Sequence, residues 1–423
     1  MKRHSRTGTF ASTLVAVAAA EAGRRLLTPR ERPVALAPVA LGTYFRPEEV
    51  RRGAAFARPQ LALALARAAI DLGALGLLVS NPPAALRHPF KRPVLASVVA
   101  GAGLSAALTV PSLPLAALAR RRARSVGLVT QSWRGWGADL LKGTGIRSAF
   151  AAAGAGAVVA ASRRYPRSWW IPAAAGSVLV GSALAALGPV LLDPVFNDFT
   201  PLPDGRIRAD VLELAGAAGV KVGEVYSVDA SRRTTAANAY VTGLGPTKRV
   251  VMFDTLLDRY TRDEVRVVVA HELAHVRNRD VLRIIAYGAI VAPAVTLAAQ
   301  RVSWMLSGEH ERGTPAALPS LALGAAVVAA PVGLVGNRLS RAIERRADDY
   351  SLALSGSPEA FVSFERAIAL QNVADLDPPR WLTALIATHP PTLERIGAAV
   401  AWSRRHDADL TARNQTRRIP ASS

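Results

Sequence analysis

Seven apolar stretches, most of them long enough to cross a bilayer, punctuate this chain and leave few folds open to it. They run approximately over 8–23, 60–80, 93–119, 147–162, 168–192, 282–300 and 318–337, and the first and fourth are the shortest. Hydrocarbon offers no water to an amide, so such a segment must satisfy its own backbone as a helix or close into a barrel. Ala, Leu and Val dominate over aromatics here, which favours helices. The expected fold is mainly α: seven transmembrane helices with a polar α/β insert. Residues 1–192 form an N-terminal membrane domain of about five helices, and 193–281 form the insert. Two more spans fill 282–337, further helices fill 338–403, and 404–423 is expected to be a disordered tail.

Charge orients these segments. The chain carries 52 Lys and Arg against 31 Asp and Glu, a balance seen in nucleic-acid binders. The arginines, however, gather between apolar blocks, and no helix-turn-helix, zinc-finger or RNP pattern is present, so a nucleic-acid partner is excluded. Lys2, Arg3 and Arg6 precede the first apolar run as they would in a signal peptide. Cleavage there would leave 24–59, with eight arginines, outside, against the positive-inside bias. With all seven spans retained, loops 24–59 and 120–147 lie inside with eight and seven basic residues. Loops 81–92, 162–168 and 301–317 then lie outside with three, three and two. This topology puts 193–281 and 338–423 together on the cytoplasmic face of a bacterial-type plasma membrane. Within the second span, Arg67 and Asp71 share a helix face and are expected to pair.

The insert reads as a helix near 206–219, strands at Glu224–Asp229, Asn238–Gly243 and Arg249–Phe253, and a helix from about 262 opened by a Thr261/Glu264 capping box. That last helix carries His271-Glu272-Leu273-Ala274-His275, an HExxH pattern. Residues four apart on a helix project from one face, so both imidazoles can reach one ion while Glu272 stands beside it as a base. With no cysteine in the chain, any metal must be held by His and carboxylates. A zinc peptidase site needs a third protein ligand and an open position. Asn278 and Val281 stand where the three-histidine subclass has Gly and His, so a downstream glutamate is the alternative. Glu344, just after the last span, supplies it, with Asp280 and Asp349 as lesser candidates. Asp348, one turn on, is placed to accept the N–H of a ligating histidine.

The motifs extend well beyond this core: Tyr44-Phe45-Arg46-Pro47-Glu48-Glu49, Thr130-Gln131-Ser132 with Trp136 and Asp139-Leu140-Leu141-Lys142, and Pro166-Arg167-Ser168-Trp169-Trp170. Asp193-Pro194-Val195-Phe196-Asn197, Asp229-Ala230-Ser231-Arg232-Arg233, Asn238 to Gly245, and Phe253-Asp254-Thr255-Leu256-Leu257 follow in order. Over nearly residues 40 to 396 the chain resembles the type I CAAX prenyl endopeptidases, integral-membrane zinc peptidases of the yeast a-factor maturation class. The resemblance implies seven tilted helices around an intramembrane chamber, with a zincin-like site and one Zn2+ at its cytoplasmic end. It implies that Asn238 and Ala239 lie on a strand edge that pairs with substrate backbone, as in β-augmentation. His389-Pro390-Pro391 with Glu394-Arg395 resembles a late family motif whose His and Arg face the site, making His389 and Arg395 candidate catalytic residues that stabilise developing charge. Expected partners are peptide or membrane-protein substrates, prenylated or simply hydrophobic, and membrane lipids. Two other classes predict different sequences. A transporter would spread polar residues through several spans, and an inactive scaffold would break the ligand set. The other spans are nearly uniformly apolar, and the set is complete.

Overall fold

The computed structural model describes residues 6–31, 35–243, 248–307 and 311–416. Lys2, Arg3, Leu244, Gly245 and the end of the tail, all named above, lie outside the described residues. The first helices in chain order are α1 (Arg6–Leu27), α2 (Leu41–Tyr44), α3 (Pro47–Ser80), α4 (Ala84–Arg87), α5 (Pro93–Ala107), α6 (Leu113–Ser125), α7 (Trp133–Arg164) and α8 (Trp170–Leu191). Then come β1 (Phe199–Pro201), α9 (Arg206–Ala217), β2 (Glu224–Val228), β3 (Ala239–Thr242), β4 (Arg249–Phe253), α10 (Asp254–Arg259) and α11 (Arg262–Arg277). The chain ends through α12 (Asp280–Leu306), α13 (Leu318–Ser355), α14 (Pro358–Gln371), α15 (Arg380–Ile386) and α16 (Thr392–Thr416). These form two compact units. One comprises the residues up to Leu27, Pro59–Ala185 and Leu282–Gly336; the other comprises Thr28–Arg58, Ala186–Val281 and the chain from Asn337.

Among the described residues, five helices are long and apolar enough to cross a membrane: α3, α7, α8, α12 and a segment from Pro315 through α13. Five of the seven expected runs fall on them. The run at 8–23 is helical as α1, whereas that at 93–119 is not one span. It breaks after α5, where Pro111 removes a backbone donor from the turn before α6. At 15 residues, α5 reaches only about 22 Å of a hydrocarbon core about 30 Å thick.

Lipid gives packed helices no hydrophobic gain over lipid contact, so small residues set how closely they approach. Gly101 of α5 shows this. A Cβ there would lie 2.6 Å from both the Ala151 carbonyl oxygen and the Ala155 methyl of α7. Along α1, α12 and α13, Ala16, Ala20, Val291, Ala298, Val302, Val328, Val332 and Val335 form a similarly small-sided buried cluster. The expected Arg67–Asp71 pair does not form. Both lie on α3, but Arg67 Nε and Asp71 Oδ1 are buried with no hydrogen-bond partner. Four residues of helix bring two side chains to one face without obliging them to meet.

In the second unit a four-stranded sheet runs in the order β1-β2-β4-β3, with β2 and β4 parallel and the outer pairs antiparallel. β1 and the short α10 were not anticipated. The buried faces of β2 and β4 contribute Val225, Val250 and Met252 to a core completed by Val211 and Leu214 of α9 and by Val265, Val268, Val269 and Leu273 of α11. Asp210 on α9 is buried and ties α11 down through Arg262 (2.5 Å) and Arg266 (2.8 Å). The capping box forms as read: Thr261 Oγ1 accepts from the Glu264 amide, and the Glu264 carboxylate accepts from the Thr261 amide at 2.8 Å. Downstream, helical backbone in α16 continues to Thr416, well into the stretch expected to be an irregular tail.

Candidate metal centre

α11 presents His271 and His275 on one face, and α13 brings Glu344 to meet them. One nitrogen from each histidine and one Glu344 oxygen lie within 4.8 Å of one another. The two Nε2 atoms are 3.2 Å apart, His271 Nε2 is 3.3 Å from Glu344 Oε2, and His275 Nε2 is 3.8 Å from Glu344 Oε1. Donors on a tetrahedral zinc, each bonded at about 2.0–2.1 Å, stand about 3.3 Å apart. The observed spacings bracket that value.

The far nitrogens explain why Nε2 faces inward. His271 Nδ1 lies 3.0 Å from Asp348 Oδ1, and His275 Nδ1 lies 3.0 Å from Asp280 Oδ2. The hydrogen bond of His275 to Asp280 and the Asp348 carboxylate beside His271 favour the proton at Nδ1 and leave the Nε2 lone pairs converging, an arrangement that a cation relieves. Glu344 Oε2 is buried without a hydrogen-bond donor, as an oxygen reserved for a metal would be. Burial works against charge on His271, yet its contacts with Asp348 and Glu344 push the imidazole up to about 10, so the centre favours positive charge. On these observations the residues fit a zinc ion.

Asp280 was weighed above as a lesser ligand. It meets the opposite nitrogen of His275 instead, and it also pairs with Arg346. The turn that delivers it passes through Arg279 at φ 55°, left-handed backbone that a non-glycine residue seldom adopts, between the end of α11 and the start of α12. Sequence held only a weak signal for this role, an acid five residues past the second histidine. Asp349 is not in the metal-binding group.

Behind His271 runs a buried charge chain. Arg395 on α16 donates Nη2 to Asp348 Oδ1 (2.5 Å) and Nε to Oδ2 (2.9 Å), and its Nη1 lies 2.5 Å from Glu365 Oε1. Arg395 is therefore engaged by two carboxylates. Burial pushes the Glu365 carboxyl up to about 7 even with Arg395 beside it. Nothing in the sequence singled out Glu365, which is one acid among several on α14.

A cavity of about 390 Å³ opens in front of His271, lined among others by Asn238, His271, Glu272, Glu365, His389 and Arg395. Burial raises the Glu272 carboxyl above the usual range. No hydrogen bond among the described residues engages it, so its oxygens are available to a proton. His389 is exposed; its Nε2 lies 3.5 Å from Glu344 Oε2 and its Nδ1 is 2.9 Å from Thr388 Oγ1. β3 forms an edge of the sheet. Because the Asn238 carbonyl accepts from the Phe253 amide (2.9 Å) toward β4, alternation along the strand turns the Ala239 amide and carbonyl toward the open edge.

A helical bundle of membrane-span length joined to a small sheet and an HExxH helix defines a fold class already known among solved structures. The structure of S. mikatae Ste24p matches with a TM-score of 0.75 over 92% of this chain and 97% of that one, at 19% identity, so the fold is shared. The family model for peptidase family M48 matches residues 201–403. The uncharacterized metalloprotease YhfN of Bacillus subtilis is 33% identical over 55% of this chain and 57% of its own length. A CAAX prenyl protease 1 homolog of Oryza sativa is 28% identical over 50% and 51%. Protease HtpX of Legionella pneumophila is 31% identical over 46% of this chain and 76% of its own length. The chain spans about half the length of the first of these curated relatives. It belongs to peptidase family M48, a metalloprotease family, and is an integral membrane protein.

Proposed function

We propose that this chain is a membrane-integral zinc metalloendopeptidase that hydrolyses hydrophobic or lipid-modified peptides, with the catalytic face toward the cytoplasm. The convergence of His271 Nε2, His275 Nε2 and Glu344 on one point, beside the unengaged Glu272 carboxylate, carries this reading. When bound, one zinc ion would polarise the scissile carbonyl and make water a stronger nucleophile near neutral pH. Glu272 takes a proton from the attacking water and passes it to the departing amine. Its raised affinity for protons suits both steps. The open edge at Ala239, next to Asn238, holds the substrate main chain as an added strand, so the scissile bond is presented in extended form.

His389 hydrogen-bonds the oxygen on which negative charge develops, from its place 3.5 Å from Glu344. Replacing His389 by Ala is expected to lower kcat about a hundredfold while zinc content stays at the wild-type value. Unchanged turnover in that variant would remove His389 from the chemistry. Arg395, through its bonds to Asp348, acts on the orientation of His271, and Glu365 steadies it from the other side.

The membrane setting and the likeness to CAAX prenyl proteases support this substrate class. The test uses detergent-purified chain and two fluorogenic peptides of one CaaX sequence, with and without a farnesyl group on its cysteine. Both are expected to be cleaved, the farnesylated one at higher kcat/KM. Chelation by 1,10-phenanthroline should abolish both rates and added zinc restore them. Equal kcat/KM for the two peptides would point to hydrophobic membrane-protein segments as the substrate. Cleavage that survives removal of zinc would end the metallopeptidase reading.

A further inference from the structure

The face of α13 that supplies Glu344 also carries two side chains to which the reaction, as set out above, gives no task. Asn337, Arg341, Glu344 and Asp348 follow one another at steps of four, three and four residues, so all lie on one side of the helix. Glu344 turns to the two histidines and Asp348 to His271. Asn337 and Arg341 turn instead to α15, whose last residue, Ile386, stands three positions before His389.

A helix of seven residues makes too few internal bonds to hold itself, and the carbonyls of its last turn lack helical donors. Here α13 supplies the donors. Asn337 Nδ2 donates to the carbonyls of Leu385 (3.1 Å) and Ile386 (3.3 Å). Arg341 Nη2 donates to the Ala384 carbonyl (2.8 Å), and its Nη1 donates to those of Thr383 (3.3 Å) and Ala387. Five consecutive carbonyls, 383 to 387, thus accept from two side chains. The Arg341 guanidinium is buried and forms no salt bridge among the described residues, so its charge is met by the carbonyl dipoles at the negative end of α15. Beyond His389 the chain is tied to α13 again, where Arg345 Nε donates to Glu394 Oε1 (2.5 Å) and Arg395 Nε to Asp348 Oδ2 (2.9 Å). Pro390 and Pro391, between the two ties, restrict the backbone further. His389 needs such support. Its side chain is 63% exposed, and its polar partners among the described residues are Thr388 Oγ1 and Glu344 Oε2. Packing does not fix a ring so exposed, so its place depends on how the ends of its segment are held.

We propose that Asn337 and Arg341 are positioning residues for His389: they clamp the end of α15 to the helix that carries Glu344 and thereby hold the imidazole at the site, a role that rests on the charge-stabilising part given to His389 above. His389 acts on charge that develops only in the transition state, so a loosened clamp lowers kcat and leaves KM nearly unchanged. Misplacement of such a group by about 1 Å costs up to about a hundredfold in rate. The experiment measures kcat and KM on the farnesylated peptide for detergent-purified wild type, N337A, R341K, H389A and the doubles N337A/H389A and R341K/H389A. Zinc content and melting temperature are followed in each. Lysine keeps the charge of Arg341 but not the fork that reaches several carbonyls at once. Each single clamp variant, loaded with zinc as wild type is, is expected to lose about ten- to thirtyfold in kcat with KM within about twofold. In the H389A background the same changes are expected to cost less than about threefold, because the ring they position is gone; a merely structural role would give the full loss in both backgrounds. Unchanged kcat in the single clamp variants, or losses that add in full to that of H389A, would overturn the clamp and leave the role of His389 standing. Wild-type turnover in H389A would overturn that role and the clamp with it. If R341K does not fold, N337A decides, since it removes two hydrogen bonds from a half-buried position.

Discussion

A Glu272→Gln variant is expected to bind zinc as wild type does and to lose about two to four orders of magnitude in kcat. The change keeps the shape of the side chain and removes its capacity to accept a proton. Glu272 is not among the three groups that converge on the metal position, so the site should load normally. Its carboxylate faces the cavity beside His271 with no hydrogen bond among the described residues to occupy it, so no other group is disturbed by the exchange. Zinc content, melting temperature and single-turnover cleavage of the farnesylated peptide, measured side by side, separate the two roles. A variant that turns over at the wild-type rate would show that the proton moves through another group. Glu365, the other buried acid lining the cavity, would be examined next.

The second large effect concerns the metal itself. Glu344→Ala is expected to lower zinc content from about one ion per chain to near zero after dialysis against a weak chelator, with the helical content intact. Glu344 contributes the only carboxylate of the three-ligand group. Removing it leaves two Nε2 atoms 3.2 Å apart with two protein ligands where such a site needs three. Elemental analysis of wild type and variant, prepared under metal-free handling and then offered zinc, reads this directly. Full retention of zinc by the variant would require a different third ligand. Failure of folded wild type to take up zinc would instead favour an inactive scaffold. Asp280 offers an instructive contrast. It lies 3.0 Å from Nδ1 of His275, on the side away from the centre, a position that suits orienting the ring rather than binding the ion.

Much of this protein was determined by its sequence alone, for reasons local to the chain. Span-length apolar runs must be helices in lipid, and five of those expected lie on helices that meet the length and composition for crossing. The capping box at Thr261 and the HExxH spacing are helical periodicities written within one short stretch, so α11 and the pairing of His271 with His275 could be read without a fold. The break after α5 could not be read so easily. Apolar composition continues across it, and the interruption at Pro111 is one residue in an otherwise span-like run.

Tertiary structure alone decided what depends on distance in the chain. Glu344 is sixty-nine residues beyond His275, and only the packing of α13 beside α11 brings its oxygens to the histidines. The same holds for Arg395. The family motif pointed it at the reaction, whereas its hydrogen bonds commit it to Asp348, and Glu365, without any sequence signal, faces its other side. Arg67 and Asp71 make the converse point, since a correct helix face did not produce the pair. Periodicity is a property of neighbours along the chain, while charge clusters and ligand sets arise between segments, where buried groups must find partners whatever their separation in sequence.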